Sequence, residues 1–148
     1  MVSASGNVSS KDGTPAVRDV VGVWRLVSAK AVDETGQTVD PPYGPRGIGI
    51  VALSADGRMT NVLVDGRAEL PAGAKREHGS YCGHYTFDGS TLVTTVDAAA
   101  DPARMGSQQV RKVRFEGERM VLMPPVIVVN GSKVTRELTW EKISPISL

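Results

Sequence analysis

Lys133-Val134-Thr135-Arg136-Glu137-Leu138-Thr139-Trp140-Glu141-Lys142 alternates without a break. Val134, Arg136, Leu138 and Trp140 fall on one face, and Thr135, Glu137, Thr139 and Glu141 on the other. A period of two is the geometry of a strand with one dry face and one wet face. The face holding Leu138 and Trp140 has to be the dry one, which predicts that Arg136 points into the interior or sits at its rim.

Upstream, the same texture repeats between turn signals. Asn130-Gly131, Glu116-Gly117, Asp88-Gly89 and Asp56-Gly57 are X-Gly pairs of the hairpin kind, Glu116 being the weakest partner. The segments they separate predict eight strands, at about residues 22–32, 48–54, 58–64, 80–87, 91–98, 108–115, 119–124 and 133–142. No long amphipathic helix interleaves them, so a parallel βαβ sheet is disfavoured. A meander of this length removes its exposed edges most simply by closing. The expected fold class is all-β: a single up-and-down antiparallel β-barrel of about eight strands.

Facing follows from the same alternation. Tyr81, Gly83, Tyr85 and Phe87 make the bulky inner face of the fourth strand, leaving Cys82, His84 and Thr86 outside. In the sixth strand Gln109, Arg111, Val113 and Phe115 oppose a more charged set, which places Arg111 inside. In the first strand Trp24, Leu26 and Ser28 are read against Arg25, Val27 and Ala29. Two connections are long enough to cover a barrel mouth. One runs over residues 33–47 and is stiffened by Pro41-Pro42-Tyr43-Gly44-Pro45; the other runs over 65–79, where Arg67-Ala68-Glu69-Leu70 allows one helical turn before Pro71.

Composition bounds the rest. The 148 residues fit one domain, and 17 basic against 16 acidic residues leave no field to recruit nucleic acid or an anionic membrane. A single cysteine, Cys82, excludes an internal disulfide. The start, Met1-Val2-Ser3-Ala4-Ser5-Gly6-Asn7, has no apolar core of a secretory signal, and no apolar run approaches membrane-spanning length. These features predict a cytoplasmic protein, a monomer or homodimer. They also predict a disordered leader over residues 1–18, polar and aperiodic to about Ala16, and a barrel domain over 19–148.

The pieces Gly22-Val23-Trp24-Arg25-Leu26-Val27-Ser28, Tyr43-Gly44-Pro45, Asp56-Gly57-Arg58-Met59, Tyr81-Cys82-Gly83-His84-Tyr85, Gly106-Ser107-Gln108-Gln109-Val110-Arg111 and Trp140-Glu141-Lys142 occur in that order. Together they resemble the bacterial lipocalin-like domain family, over roughly residues 20–142. The resemblance implies a small barrel with a central cavity, and it implies no single activity. The resemblance departs at one place: many members of that family carry a histidine pair in the strand where this chain has Thr94-Thr95, so chemistry resting on those histidines is not expected here.

The candidate ligand-binding residues are Arg111, Tyr81, Tyr85, Asn61 and Tyr43. A guanidinium inside a barrel is costly unless paired, and it suits a carboxylate, enolate or carbonyl oxygen. Arg111 reads either as a ligand contact or as part of a structural network. Arg136 is expected to stack on Trp24 and cap the closed end. Tyr81 and Tyr85 read as core residues or as acids. His78, Cys82 and His84 lack a fourth ligand for zinc, and Cys82 with His84 stands too far apart for a nucleophilic pair. Gly44-Pro45-Arg46-Gly47-Ile48-Gly49 leads into a strand and offers no helix start for phosphate. No cofactor or metal is implied. Two functions stay open: binding of a small apolar or amphipathic metabolite, or a cofactor-independent isomerase, cyclase or hydratase with Arg111 stabilising an oxyanion and Tyr81 or Tyr85 as the acid.

Overall fold

A computed structural model describes residues 13–145. One helical turn, α1 (Val17–Val20), leads into β1 (Gly22–Asp33). Then follow β2 (Thr38–Val39), β3 (Gly47–Leu53), β4 (Arg58–Asp65), β5 (His78–Phe87), β6 (Thr91–Ala99), β7 (Gln108–Glu116), β8 (Arg119–Met123), β9 (Ile127–Val129) and β10 (Ser132–Lys142). The sheet runs β1-β3-β4-β5-β6-β7-β8-β10, and β10 pairs back onto β1, so the eight predicted strands close into an antiparallel barrel. Two short strands missing from the sequence reading, β2 and β9, flank the far ends of β1 and β10. They extend the β1–β10 ribbon beyond the barrel proper. No helix among the described residues is long and apolar enough to cross a membrane.

The short turns at Asp56-Gly57, Asp88-Gly89 and Gly117 lie at one end with α1. Trp24, Leu53, Phe87 and Met120 are buried in the core, and Val20 of α1 is fully buried among them. The indole N–H of Trp24 donates to the Val20 carbonyl at 2.9 Å, which ties α1 to the barrel floor. Val17 and Arg18, expected in the leader, lie in α1, although Val17 itself stays exposed and only Val20 of the turn is buried. The remainder of that expectation, residues 1–12, lies outside the described residues.

Alternation holds in β5, β7 and β10, and fails in β1. The β1–β10 register skips a residue between Leu26 and Ser28, a bulge at Val27. A bulge reverses which side chains point inward beyond it. Ser28 is consequently exposed and Ala31 buried, so the grouping of Ser28 with Trp24 and Leu26 on one face breaks at the bulge. A second irregularity, where β6 skips Asp97 opposite β5, brings the Thr95 carbonyl so close that any side chain at Gly83 would overlap it.

Two further expectations are corrected. Arg67–Leu70 is bent, not helical. The Asp65 carboxylate takes the Arg67 amide and guanidinium, while Arg76 donates to the carbonyls of Asp65 and Arg67, both at 2.6 Å. Those bonds spend on side chains the groups a helical turn would use. Arg136 does not stack on Trp24 either. In the β1–β10 register Trp24 faces Lys142, whereas Arg136 faces Ala31, six residues or about 20 Å farther along β10. It is Lys142 whose ammonium lies 5.5 Å from the Trp24 ring.

Candidate functional site

The long connections gather at the end opposite α1, where they surround a cavity of about 140 Å³. Its deep wall is mostly apolar, with Val51 and Met59 from β3 and β4, Leu92 from β6, Leu122 from β8, and Leu138 and Trp140 from β10, interrupted by the buried Asn61 and Thr94. Its mouth is polar, with Tyr43, Glu77, Arg104, Arg111 and Arg136. Outside the mouth an open groove of about 550 Å³ is lined by Ala31, Val39, Ile127, Val129, Val134 and others of the β2-β1-β10-β9 extension. Pro42, Glu77 and Arg136 line both spaces.

Four of the five candidate ligand residues come together here. Asn61 is buried in β4, and its Oδ1 accepts the Tyr81 amide at 3.2 Å, which fixes the two side by side. Tyr81 lies beneath Arg104, whose guanidinium carbon is 5.2 Å from the ring centre. Arg111 projects from β7, donating to the Val110 carbonyl at 2.8 Å and to Gln109 Oε1 at 3.4 Å. Tyr43 comes down from the first long loop. Burial, the largest influence on it, raises its pKa above the usual tyrosine value. Tyr85 stands apart: it lies four residues, about 13 Å, toward the closed end of β5, and its hydroxyl donates to the Ser54 carbonyl at 2.7 Å. It is not on the cavity wall. Cys82 faces outward near Asp97, and His78 bonds Ser80 on the exposed side of β5.

Tyr43 is held in an unusual conformation. Its φ is +64°, a left-handed value that bulky residues seldom adopt. The Glu77 carboxylate accepts its amide N–H at 2.7 Å, joining the two long loops. Gly66 N–H donates to Arg46 O at 2.9 Å, a second bond between the two loops, and Asp65 N–H donates to Glu77 O at 2.9 Å, which closes the base of the second. Gly79 lies against the Tyr43 hydroxyl, where a side chain would displace the ring. The Asp65 carboxyl is held below its ordinary pKa, chiefly by the Arg67 guanidinium.

The charge at the mouth is one-sided. Arginines on the outer wall have acid partners: Arg25 with Glu141, Arg58 with Asp97, Arg114 with Glu116 and Glu137. Arg104, Arg111 and Arg136 form no salt bridge among the described residues. Burial, and next the charge of Arg111, pull the Arg136 guanidinium below the usual arginine value. Among the described residues its Nε is buried without a hydrogen-bond partner, as is the indole Nε1 of Trp140. Its Nη2 donates to the Pro125 carbonyl at 3.0 Å.

The sequence reading missed Arg104 and the role of Arg136. Arg104 ends a 3₁₀ turn, Pro102–Arg104, in which Asp101 accepts the Ala103 amide. The signal was there, since Asp followed by Pro is a helix-start pair. For Arg136 the signal was the antiparallel register, which sets the start of β1 against the end of β10.

A family model described as a lipocalin-like domain matches residues 21–143. No curated protein matches the chain.

Proposed function

Because the chain belongs to the lipocalin-like domain family, a fold fitted to hold ligands, we propose that this barrel binds a small amphipathic metabolite. The apolar body enters the inner cavity and the polar end stays at the mouth. The observation that carries the reading is the polarity gradient along one cavity, from Leu92, Leu122 and Leu138 below to Tyr43 and the arginines above. Ligand sites are typically apolar pockets with a few convergent polar groups. Binding is favoured over turnover by the groups present. The lining contains no histidine or cysteine, and its one carboxylate, Glu77, is engaged by the Tyr43 amide. The tyrosine at the mouth is a weaker acid than usual. Only Glu77 is left in this lining as a base, and one of its two oxygens is already committed to the Tyr43 amide.

Thermal denaturation with neutral and charged six-carbon probes tests the reading, because a ligand that binds only the folded state stabilises it by mass action. At 100 times Kd the gain is about 2.7 kcal/mol, a rise of several degrees. Leu63 lines the cavity four residues above Met59 on β4, on the side of the mouth, and Leu63→Trp, which fills that space, should abolish the rise. An unchanged midpoint with every probe, or an undiminished rise in Leu63→Trp, would contradict it.

A further inference from the structure

The mouth holds more positive charge than the described residues neutralise. Three arginines and one glutamate line it, and the glutamate is turned to the Tyr43 amide. The three guanidiniums reach it from separate elements: Arg104 from the β6–β7 connection, Arg111 from mid-β7 and Arg136 from β10. Three cations brought to one place by three elements repel one another, and the fold must be holding them there against that repulsion. One buried donor at the same mouth, Arg136 Nε, has no acceptor among the described residues. Buried donors without acceptors are uncommon in folded proteins and mark a missing partner. What would satisfy this set is an acceptor carrying negative charge.

From this convergence we infer that the ligand of the inner cavity is a monocarboxylate, its oxyanion set among Arg104, Arg111 and Arg136 and its apolar body below. The inference rests on the cavity being the ligand site, and adds the chemical class. A guanidinium offers a flat fork of donors that matches the two oxygens of a carboxylate, so an acid gains bonds an alcohol cannot make. The size follows from the cavity: about 140 Å³ admits a body of roughly six carbons, as cavities of similar volume take up a single ring. Arg136 lines both the cavity and the outer groove, so the carboxylate lies at their boundary, with the aqueous groove behind it.

Calorimetric titration with hexanoate, 1-hexanol and hexylamine reads the head group with the apolar body held constant. Hexanoate should bind at least tenfold more tightly than 1-hexanol, and hexylamine more weakly than either. Raising salt from low to high should weaken hexanoate and leave 1-hexanol nearly unchanged. Arg104→Gln and Arg136→Gln should each cut the hexanoate preference about five- to tenfold while preserving 1-hexanol binding. Equal affinity for acid and alcohol in the wild-type protein would overturn the inference and leave the cavity reading standing. Absence of heat and of thermal protection with all three probes would overturn both. If an arginine variant does not fold, the acid-to-alcohol ratio and its salt dependence in the wild-type protein decide alone.

Discussion

Arg111 and Arg136 share a cavity lining with like charge, and each uses part of its guanidinium on a backbone carbonyl, Val110 and Pro125 respectively. Removing one should relieve repulsion as well as delete a donor. Arg111→Met, similar in length and uncharged, should leave the melting temperature within about 2 °C of wild type or raise it, since no salt bridge is lost. The same variant should lose about 1.5–3 kcal/mol of hexanoate affinity, the range for a hydrogen bond to a charged group. A collapsed melting temperature with unchanged affinity would assign Arg111 to structure. At the opposite end Trp24 is 2% exposed and bonded to Val20. Trp24→Ala should destabilise by roughly 3–5 kcal/mol in denaturant unfolding, and a loss under about 0.5 kcal/mol would mean the floor does not depend on it. That Arg111 faces inward was readable, because Val113 and Phe115 set its parity. That Arg136 stands at the mouth was not read, because facing is local and position along the barrel depends on register.

The strands and the loops differ in how much local sequence specifies them. Each barrel strand announced itself through alternation between turn residues, and predicted ends lie within about two residues of the observed ones. The bulge at Val27 left no such trace, since it arises from pairing between the distant β1 and β10, whereas β2 and β9 are local hairpin partners of β1 and β10 that are too short to alternate. Gly83 shows the same dependence: nothing nearby in sequence says that β6 bends onto it. Gly83→Ala should cost about 1–3 kcal/mol or more, because the obstructing atom is backbone and cannot swing aside. A melting temperature unchanged by this variant would show that β6 does not bend onto Gly83. The clamped loops carry a pH dependence through Asp65, whose carboxyl is 3% exposed and lowered in pKa by Arg67. A group lowered in the folded state stabilises fully above its ordinary value, about pH 4, and loses that contribution as the pH falls further. Amide exchange in residues 66–77 should accelerate below about pH 4, earlier than in the barrel strands. Asp65→Asn should bring the faster exchange to neutral pH. Uniform exchange across loops and strands in that variant would remove the clamp from the account.

At the scale of the molecule, one end is sealed by packing and the other opens on a cluster of arginines. Short turns, α1 and Trp24 fill the floor, while long loops and three arginines make the mouth. The barrel itself was legible because eight short alternating strands with hairpin turns have few ways to hide their edges. Which end was open was not legible, because it depends on where α1 docks and on the shared destination of four connections. The two tryptophans report on this polarity directly: Trp140 lines the cavity and Trp24 closes the floor. Their two indole N–H resonances can be followed in a ¹H–¹⁵N spectrum during titration with hexanoate. The Trp140 signal should move and saturate with the binding curve while the Trp24 signal stays in place. Movement of Trp24 with Trp140 unmoved, or saturable binding that moves neither, would contradict a ligand held in this cavity.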